Sequence, residues 1–325
     1  MKHTAVLLLL CAFIMGCSSG GNPFNSPPPG DGGDGDAPPT TPTVPAAIAG
    51  SVSSVTFDPA NQTLVVTGAN LDNTPVSTVY TRNAALDRNG FQAYTNQDGA
   101  VERHFTAFVA QTGSVNAAVV SSPSPRNRTF RGAFFDRDGA YDPPIVTADT
   151  GVVTYAGSYV GLTNIGDPNG NDLISTNITP AVLQPGQALG TDGDVLLSAD
   201  FADNAVEGNI FNRRLLDTNG NALSNLPSLV LIVAPIAADG TFEGAIEYDI
   251  ADANSNTNAF VYVGSYAGIF GGIDAAQVAG GIDLNEFEGA QEFVLGAENE
   301  HARGIFILEA CTAASTTPVC TQNIP

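Results

Sequence analysis

The chain has 325 residues, 43% of them hydrophobic, enough for about two domains with real cores. Acids outnumber bases 33 to 11, for a net charge of −22, and Lys2 is the only lysine. This excludes nucleic acid as a partner, because phosphate binding needs clustered Lys and Arg.

Residues 1–16 read as a lipoprotein signal peptide. Lys2 and His3 form a short positive region, and Ala5 to Met15 form an apolar run too short to span a bilayer as a stable helix. Ile14-Met15-Gly16-Cys17 resembles the lipobox of bacterial lipoproteins, which implies cleavage before Cys17 and acylation of that residue. Several acyl chains would give a stable lipid anchor in the membrane, since each buried methylene contributes about 0.8 kcal/mol. Residues 18–48 hold eight prolines and six glycines. With the lipidated cysteine they make a disordered tether, 17–48, that spans roughly 30 Å as a flexible coil.

Residues 49–148 read as a small β domain. Two β-rich runs flank Asp58-Pro59-Ala60-Asn61, a hairpin turn, and "VSTVYTR", "HFTAFVA" and "SVNAAVVS" are further strands. "RNRTFRGAFFDR" carries Arg126, Arg128, Arg131 and Arg137, the densest basic patch in the chain. The patch reads as a solvated strand edge, with a face against the acidic C-terminal half or against a partner as alternatives.

Residues 151–325 carry 21 Asp and Glu against three Arg. The bland reading of that charge is solubility, and the sharper one is an acidic face for a basic partner. Residues 149–311 read as an eight-stranded antiparallel barrel with one apolar face per strand. In "TFEGAIEYDI", Phe242, Gly244, Ile246, Tyr248 and Ile250 alternate with polar positions. Val195, Leu197, Ala199 and Phe201 point inward from another strand. Gly157-Ser158-Tyr159-Val160-Gly161 recurs as Gly264-Ser265-Tyr266-Ala267-Gly268, followed by Phe270, Gly280 and Gly281. Glycines let barrel strands curve, and neighbouring aromatic rings cover the bare backbone. The fold class expected is therefore all-β. At the C-terminus, Cys311 and Cys320 are the remaining cysteine pair. In an oxidising envelope they form a disulfide that closes the tail, 312–325, and contributes about 2.5–3 kcal/mol on the chain-entropy model.

The runs "YAGSYVG", "LSADFADNAVEGNI", "DGTFEGAI", "GSYAGIFGGIDAAQVAGGI" and "GIFIL" resemble, in order, the lipoprotein β-barrel of the transferrin-binding protein B superfamily, over about residues 150–310. Factor H-binding protein carries a related barrel. The resemblance implies a barrel whose core is filled by side chains, beside a handle-like β domain that residues 49–148 would form. It also implies a surface-exposed outer-membrane lipoprotein that binds proteins outside the cell. The chain departs from the two-lobed members in having one handle–barrel unit, and nothing in it marks a transferrin site.

Catalytic motifs are missing: there is no G-x-S-x-G, no H-E-x-x-H and no phosphate loop. His104 and His301 read as ordinary surface or strand histidines. "DPNGND" at 167–172 and "DTNGN" at 217–221 offer alternating Asp and Asn oxygens for calcium, or simply form turns. The long polar segments 163–193 and 212–227 are the expected contact regions. The expectation is a non-enzymatic monomer without a cofactor, anchored in the outer membrane and facing the cell surface or the periplasm. It would bind a protein or nutrient ligand, as an accessory to nutrient uptake. The alternative is an integral outer-membrane barrel with a structural or pore role.

Overall fold

The computed structural model describes residues 43–69, 75–123, 129–147, 151–174, 184–251, 258–285, 300–312, 315 and 318–321. The segment read as a signal peptide, Cys17 and the segment read as a tether up to residue 42 lie outside these residues, as do Arg126 and Arg128. Pro42–Pro325 form one compact unit made of two antiparallel sheets.

The first sheet has seven strands in sequence order: β1 (Val52–Asp58), β2 (Thr63–Ala69), β3 (Pro75–Arg82), β4 (Gln92–Asn96), β5 (Phe105–Thr112), β6 (Val115–Ser122) and β7 (Phe130–Arg137). The β1–β2 turn forms as its residues predict, with Asp58 Oδ1 accepting the Ala60 and Asn61 amides at 3.0 Å. A one-turn helix, α1 (Ala46–Ala49), precedes the sheet. Its Ile48 is fully buried, although it falls in the last residues read from sequence as tether.

The second sheet contains β8 (Val152–Asp167), β9 (Gln187–Asp200), β10 (Ala205–Leu216), β11 (Ala222–Asn225), β12 (Leu229–Pro235), β13 (Thr241–Ala251), β14 (Asn258–Gly271), β15 (Gln277–Asn285) and β16 (His301–Ala310). Pairing of β9 with both β8 and β10 closes eight of these strands into a barrel, and β11 adds a short hairpin on β10. The all-β class and the eight-stranded barrel are thus as the sequence implied. One more one-turn helix, α2 (Pro318–Thr321), contains Cys320, which is disulfide-bonded to Cys311.

The barrel centre is filled. Tyr155, Tyr159, Val195, Leu197, Ala199, Phe201, Phe242, Ile246, Tyr248, Tyr266, Phe270 and Phe306 belong to a single buried cluster. The rings of Phe201, Phe242 and Tyr155 all stack around Phe270, with centroids 5.2–5.5 Å apart. Glycines make room for these rings. Gly244 pairs with Tyr266, Gly268 with Phe242, and Gly280 with Phe306. In each case a Cβ on the glycine would collide with the partner ring. Gly304, which the sequence reading passed over, lies in the same way under Tyr159. Gly157 and Gly264 are crowded by a neighbouring strand's carbonyl, and Gly161 by Thr191 and the Tyr159 hydroxyl.

One expectation needs correction. The barrel strands do not all have a single apolar face. Val160, Leu162, Ala267, Ile269, Ala279 and Ile305 point outward and are fully or almost fully buried. They form a second core with Ile48 of α1, Phe91 just before β4, and Phe108, Val115, Val119 and Phe135 of the first sheet. Gly281 belongs to this outer wall, where a Cβ would lie 2.8 Å from Ile48. The "GIFIL" run is continuous because both of its faces are covered.

The basic patch is also not a solvated edge where it is described. Arg137 donates to the carbonyls of Phe270 at 2.5 Å and Asp239 at 3.1 Å, so it is bonded to the barrel. Arg303 of the barrel in turn donates to the carbonyls of Arg131 and Ala47 at 3.0 and 2.7 Å while pairing with Asp283 at 2.7 Å. Arg303 and Asp283 are both buried, so this pair fastens α1 and β7 to the barrel wall.

Candidate binding end of the barrel

The two ends of the barrel differ. One is closed by tight turns. Asp200 Oδ1 caps the β9–β10 turn, and Asp239 Oδ1 accepts both the amide and the hydroxyl of Thr241 in the β12–β13 turn. The other end carries the β8–β9 connection, the 217–221 turn with β11, and the connections from β13 to β14 and from β15 to β16. Residues 175–183, 252–257 and 286–299 of those connections lie outside the described residues.

Much of what was read as contact loop is strand. β8 runs to Asp167 and β9 starts at Gln187, so the connection covers only 168–186 of the segment 163–193. β10 and β11 take most of 212–227. The acidic stretch "TDGD" looked like loop but lies in β9, where Asp192 pairs with Arg214 at 2.5 Å.

The connection 168–174 is held by the first sheet. His104 is 1% exposed, and its Nε2 lies 2.8 Å from Asp172 Oδ2. Asn83 Nδ2 donates to Asp172 Oδ1 at 2.8 Å, and the Asp172 amide donates to Gln187 Oε1 at 3.1 Å. Burial pushes the Asp172 carboxyl up, but the hydrogen bonds from His104, Thr95 and Asn83 outweigh it and hold the group below the usual carboxylate range. The reading of His104 as an ordinary histidine is therefore replaced: it is an internal latch on the barrel's loop end. No short-range sequence signal marks it, because 68 residues separate the pair. Thr106 Oγ1 lies 3.5 Å from His104 Nδ1, which gives an Asp–His–Thr series. Thr106 is only 3% exposed, so no substrate can reach its hydroxyl. His301 is half-buried, and burial, with Arg131 and Arg303 beside it, lowers its pKa.

The two Asp-x-Asn-Gly-Asn stretches meet at this end, where Asn171 Nδ2 donates to Asn219 Oδ1 at 2.7 Å. Their carboxylates are occupied by turn closure. Asp217 Oδ1 accepts the Asn219 and Asn221 amides at 2.9 and 2.8 Å, and Asp167 Oδ1 accepts the Asn169 amide at 2.8 Å. Among the described residues no group of three or more His, Cys, Asp or Glu is placed to hold a metal ion. Arg88 of the first sheet sits over the second turn, 3.4 Å from the Asp217 and Thr218 carbonyls.

Beneath these connections lies a polar layer inside the barrel. Tyr159 and Thr191 share a hydrogen bond of 2.9 Å. At a bulge in β10 opposite Gly193, Asn212 adopts a φ of 52° and Arg213 turns inward, where it is 1% exposed. Arg213 Nη1 donates to the Pro227 carbonyl at 2.8 Å. Burial raises the pKa of the neighbouring Tyr248 hydroxyl, against the opposing pull of Arg213. Tyr159, Thr191, Arg213 and Tyr248 are all buried, so this layer is a closed polar floor.

These features define a class: a closed, filled β-barrel with a second sheet packed on its wall and its longer connections gathered at one end. No protein-family profile matches the chain, and no curated protein does. Solved structures do. It is similar to intact two-lobed TbpB (N and C lobes), at 13% identity and a TM-score of 0.36, covering 79% of this chain and 54% of that one. The chain thus spans about half the length of that relative. A transferrin-binding protein B mutant from Actinobacillus pleuropneumoniae matches at 14% identity and a TM-score of 0.34, covering 81% and 99% of the two chains. A structure described as a surface lipoprotein matches at 14% identity and a TM-score of 0.32, covering 79% and 96%. The likeness is one of fold.

Proposed function

We propose that the protein is an outer-membrane lipoprotein, anchored through acylated Cys17 and the tether 17–48, whose barrel and first sheet act as a non-enzymatic binding module. Its ligand is a protein or nutrient outside the inner membrane, and it works beside a larger uptake component. The observation that carries this reading is the filled barrel. With Tyr155, Tyr159, Phe270 and Phe306 packed at its centre, the barrel holds no path for a solute. Its job must then be done by outer surfaces.

The integral-barrel alternative fits less well. The outer wall of β14–β16 is already covered by the first sheet. The uncovered wall carries exposed Glu207 and Asn209 on β10 and exposed Glu243 on β13, where a lipid belt would need apolar residues.

The test is to express residues 43–325, which keep Ile48 and the Ala47 carbonyl, and to use this body as bait against extracellular and envelope fractions, read by mass spectrometry. A monomer that stays in solution without detergent and captures a discrete protein or nutrient complex supports the proposal. A body that is recovered only in detergent and forms conducting channels in planar bilayers would overturn it.

A further inference from the structure

The geometry points to the free edge of β3 as a docking site for an extended strand of a protein partner. The inference rests on the binding-module reading and says which surface does the binding.

β3 pairs with β2 from Tyr80 opposite Leu64 to Pro75 opposite Ala69. On its other side β4 pairs only with Thr81 and Arg82. β4 then ends at Asn96, whose Nδ2 reaches the Val79 carbonyl at 3.5 Å. Val79 therefore directs its main chain away from β2, and by the two-residue period so do Ser77 and Pro75. The close Ser77–Thr67 hydroxyl contact of 2.7 Å fits this register, because side chains approach most closely at non-hydrogen-bonded pairs. Among the described residues no strand pairs with the Ser77 and Val79 amides or the Ser77 and Pro75 carbonyls, which form a row open to a further strand.

Such edges are normally protected by charge, a bulge or a covering segment. The run Pro75–Thr81 has no charged residue, and the β2–β3 ladder has no bulge. The surroundings are apolar where a surface is usually polar. Val79 is 60% exposed, Val76 44%, Val101 66% and Ile174 58%. Gln97, the residue after β4, ties these pieces together. It accepts the Ile174 amide at 2.9 Å and donates to the Glu102 carbonyl at 3.1 Å. Gln97 and its neighbour Asn96 thus connect Ile174, in the described part of the β8–β9 connection, to Val79 of β3. Exposed Asp98 and Glu102 flank it, and the next residue, Arg103, is already partnered. An added strand with alternating β-branched residues would complete the ladder, and basic residues at its ends would answer the two acids. A second copy of this chain is the poorer occupant, because it would set a net charge of −22 against itself.

The experiment is hydrogen–deuterium exchange on the full-length lipoprotein in detergent, with and without an excess of a synthetic peptide of alternating threonine and valine capped by arginine. The expected result is fast exchange at the Ser77 and Val79 amides in the free protein, slowed about tenfold by the peptide, with the β2-bonded Val76 and Thr78 amides and those of β5 and β6 unchanged. Ser77→Pro removes an outward amide that makes no bond to β2, and should abolish the slowing while leaving the melting curve in place. Val79→Lys, which adds charge to the edge without touching the backbone, should weaken it. Three results would each overturn the assignment: protection of the Ser77 and Val79 amides before any peptide is added, no slowing by the peptide, or slowing that survives both substitutions. Protection that rises with protein concentration, together with a doubled mass, would overturn it in favour of self-pairing. None of these readouts depends on capturing a natural partner, so the edge and the binding-module proposal can fail separately.

Discussion

Replacing Gly304 by alanine tests whether the barrel's aromatic core rests on bare backbone. The three atoms nearest to a Cβ at this position all belong to Tyr159, with Cζ at 2.7 Å and the hydroxyl oxygen at 2.8 Å. The ring cannot swing away easily, because Tyr159 is fully buried and its hydroxyl is held by Thr191. Overpacking of this kind costs about 1–3 kcal/mol. The lower chain entropy of alanine in the unfolded state returns about 0.4–1 kcal/mol. The net expectation is a loss of about 1–2 kcal/mol, read as a lower urea midpoint at unchanged slope. Gly99→Ala is the control: its Cβ would meet only Glu102 Cγ, at an ordinary 3.5 Å, and should keep the entropic gain of about 0.4–1 kcal/mol without a packing loss. A double-mutant cycle completes the test. In a Tyr159→Leu background the penalty of Gly304→Ala should shrink by about 1 kcal/mol or more, because the colliding ring is gone. Additive effects, or a Gly304→Ala protein as stable as the control, would refute the argument that ring and glycine are matched.

Two further outcomes follow from other contacts and one from the lipobox-like sequence at Cys17. Asp172→Asn should lower stability at neutral pH by about 1–2 kcal/mol, since it weakens the bonds to His104 and Asn83. Because the Asp172 pKa is depressed on folding, its contribution is present above the unfolded value near 3.9 and is lost as pH falls through the folded value. The variant's deficit, followed by thermal melts from pH 7 to 3, should therefore shrink below about pH 4. Arg303→Met should cost about 3–5 kcal/mol in chemical denaturation, because it strands a buried Asp283, and adding Asp283→Leu should recover much of the loss. Cys17→Ala should move the protein from the membrane pellet to the soluble fraction and abolish incorporation of labelled palmitate, and retention in the pellet would refute the anchor.

How much of this was legible in the sequence depends on how far apart the causes lie. Alternation along "TFEGAIEYDI" and "VLLSADF" gave Phe242, Ile246 and Tyr248, and Val195, Leu197, Ala199 and Phe201, as inward, because a strand's two faces repeat every second residue; the Ile250 side chain lies outside the described residues. The spaced Gly and Tyr residues signalled a curved barrel for the same local reason. β4 was missed because its five residues include Gln92, Thr95 and Asn96 and carry little apolar pattern. The His104–Asp172 latch and the Arg303 cluster could not be read at all. Each joins residues that become neighbours only after the two sheets pack, and the partners look like ordinary surface polar residues until then.

The outer wall shows how a legible signal can still be misassigned. "GIFIL" and "YAGSYVGL" break strict alternation, since Ile305 and Val160 are apolar where an exposed face would be polar. Read against one core, these residues look like noise. Read against two, they say that β8 and β14–β16 are sandwiched, whereas β10 and β13, with Glu207, Glu243 and Glu247, are not. The apolar second face thus locates the first sheet on one side of the barrel before any contact is known. It also bears on the choice between lipid and protein as the covering layer. A lipid belt would run around the whole circumference, while a packed sheet covers only part of it. The acids on β10 and β13 interrupt the apolar surface, and that favours protein.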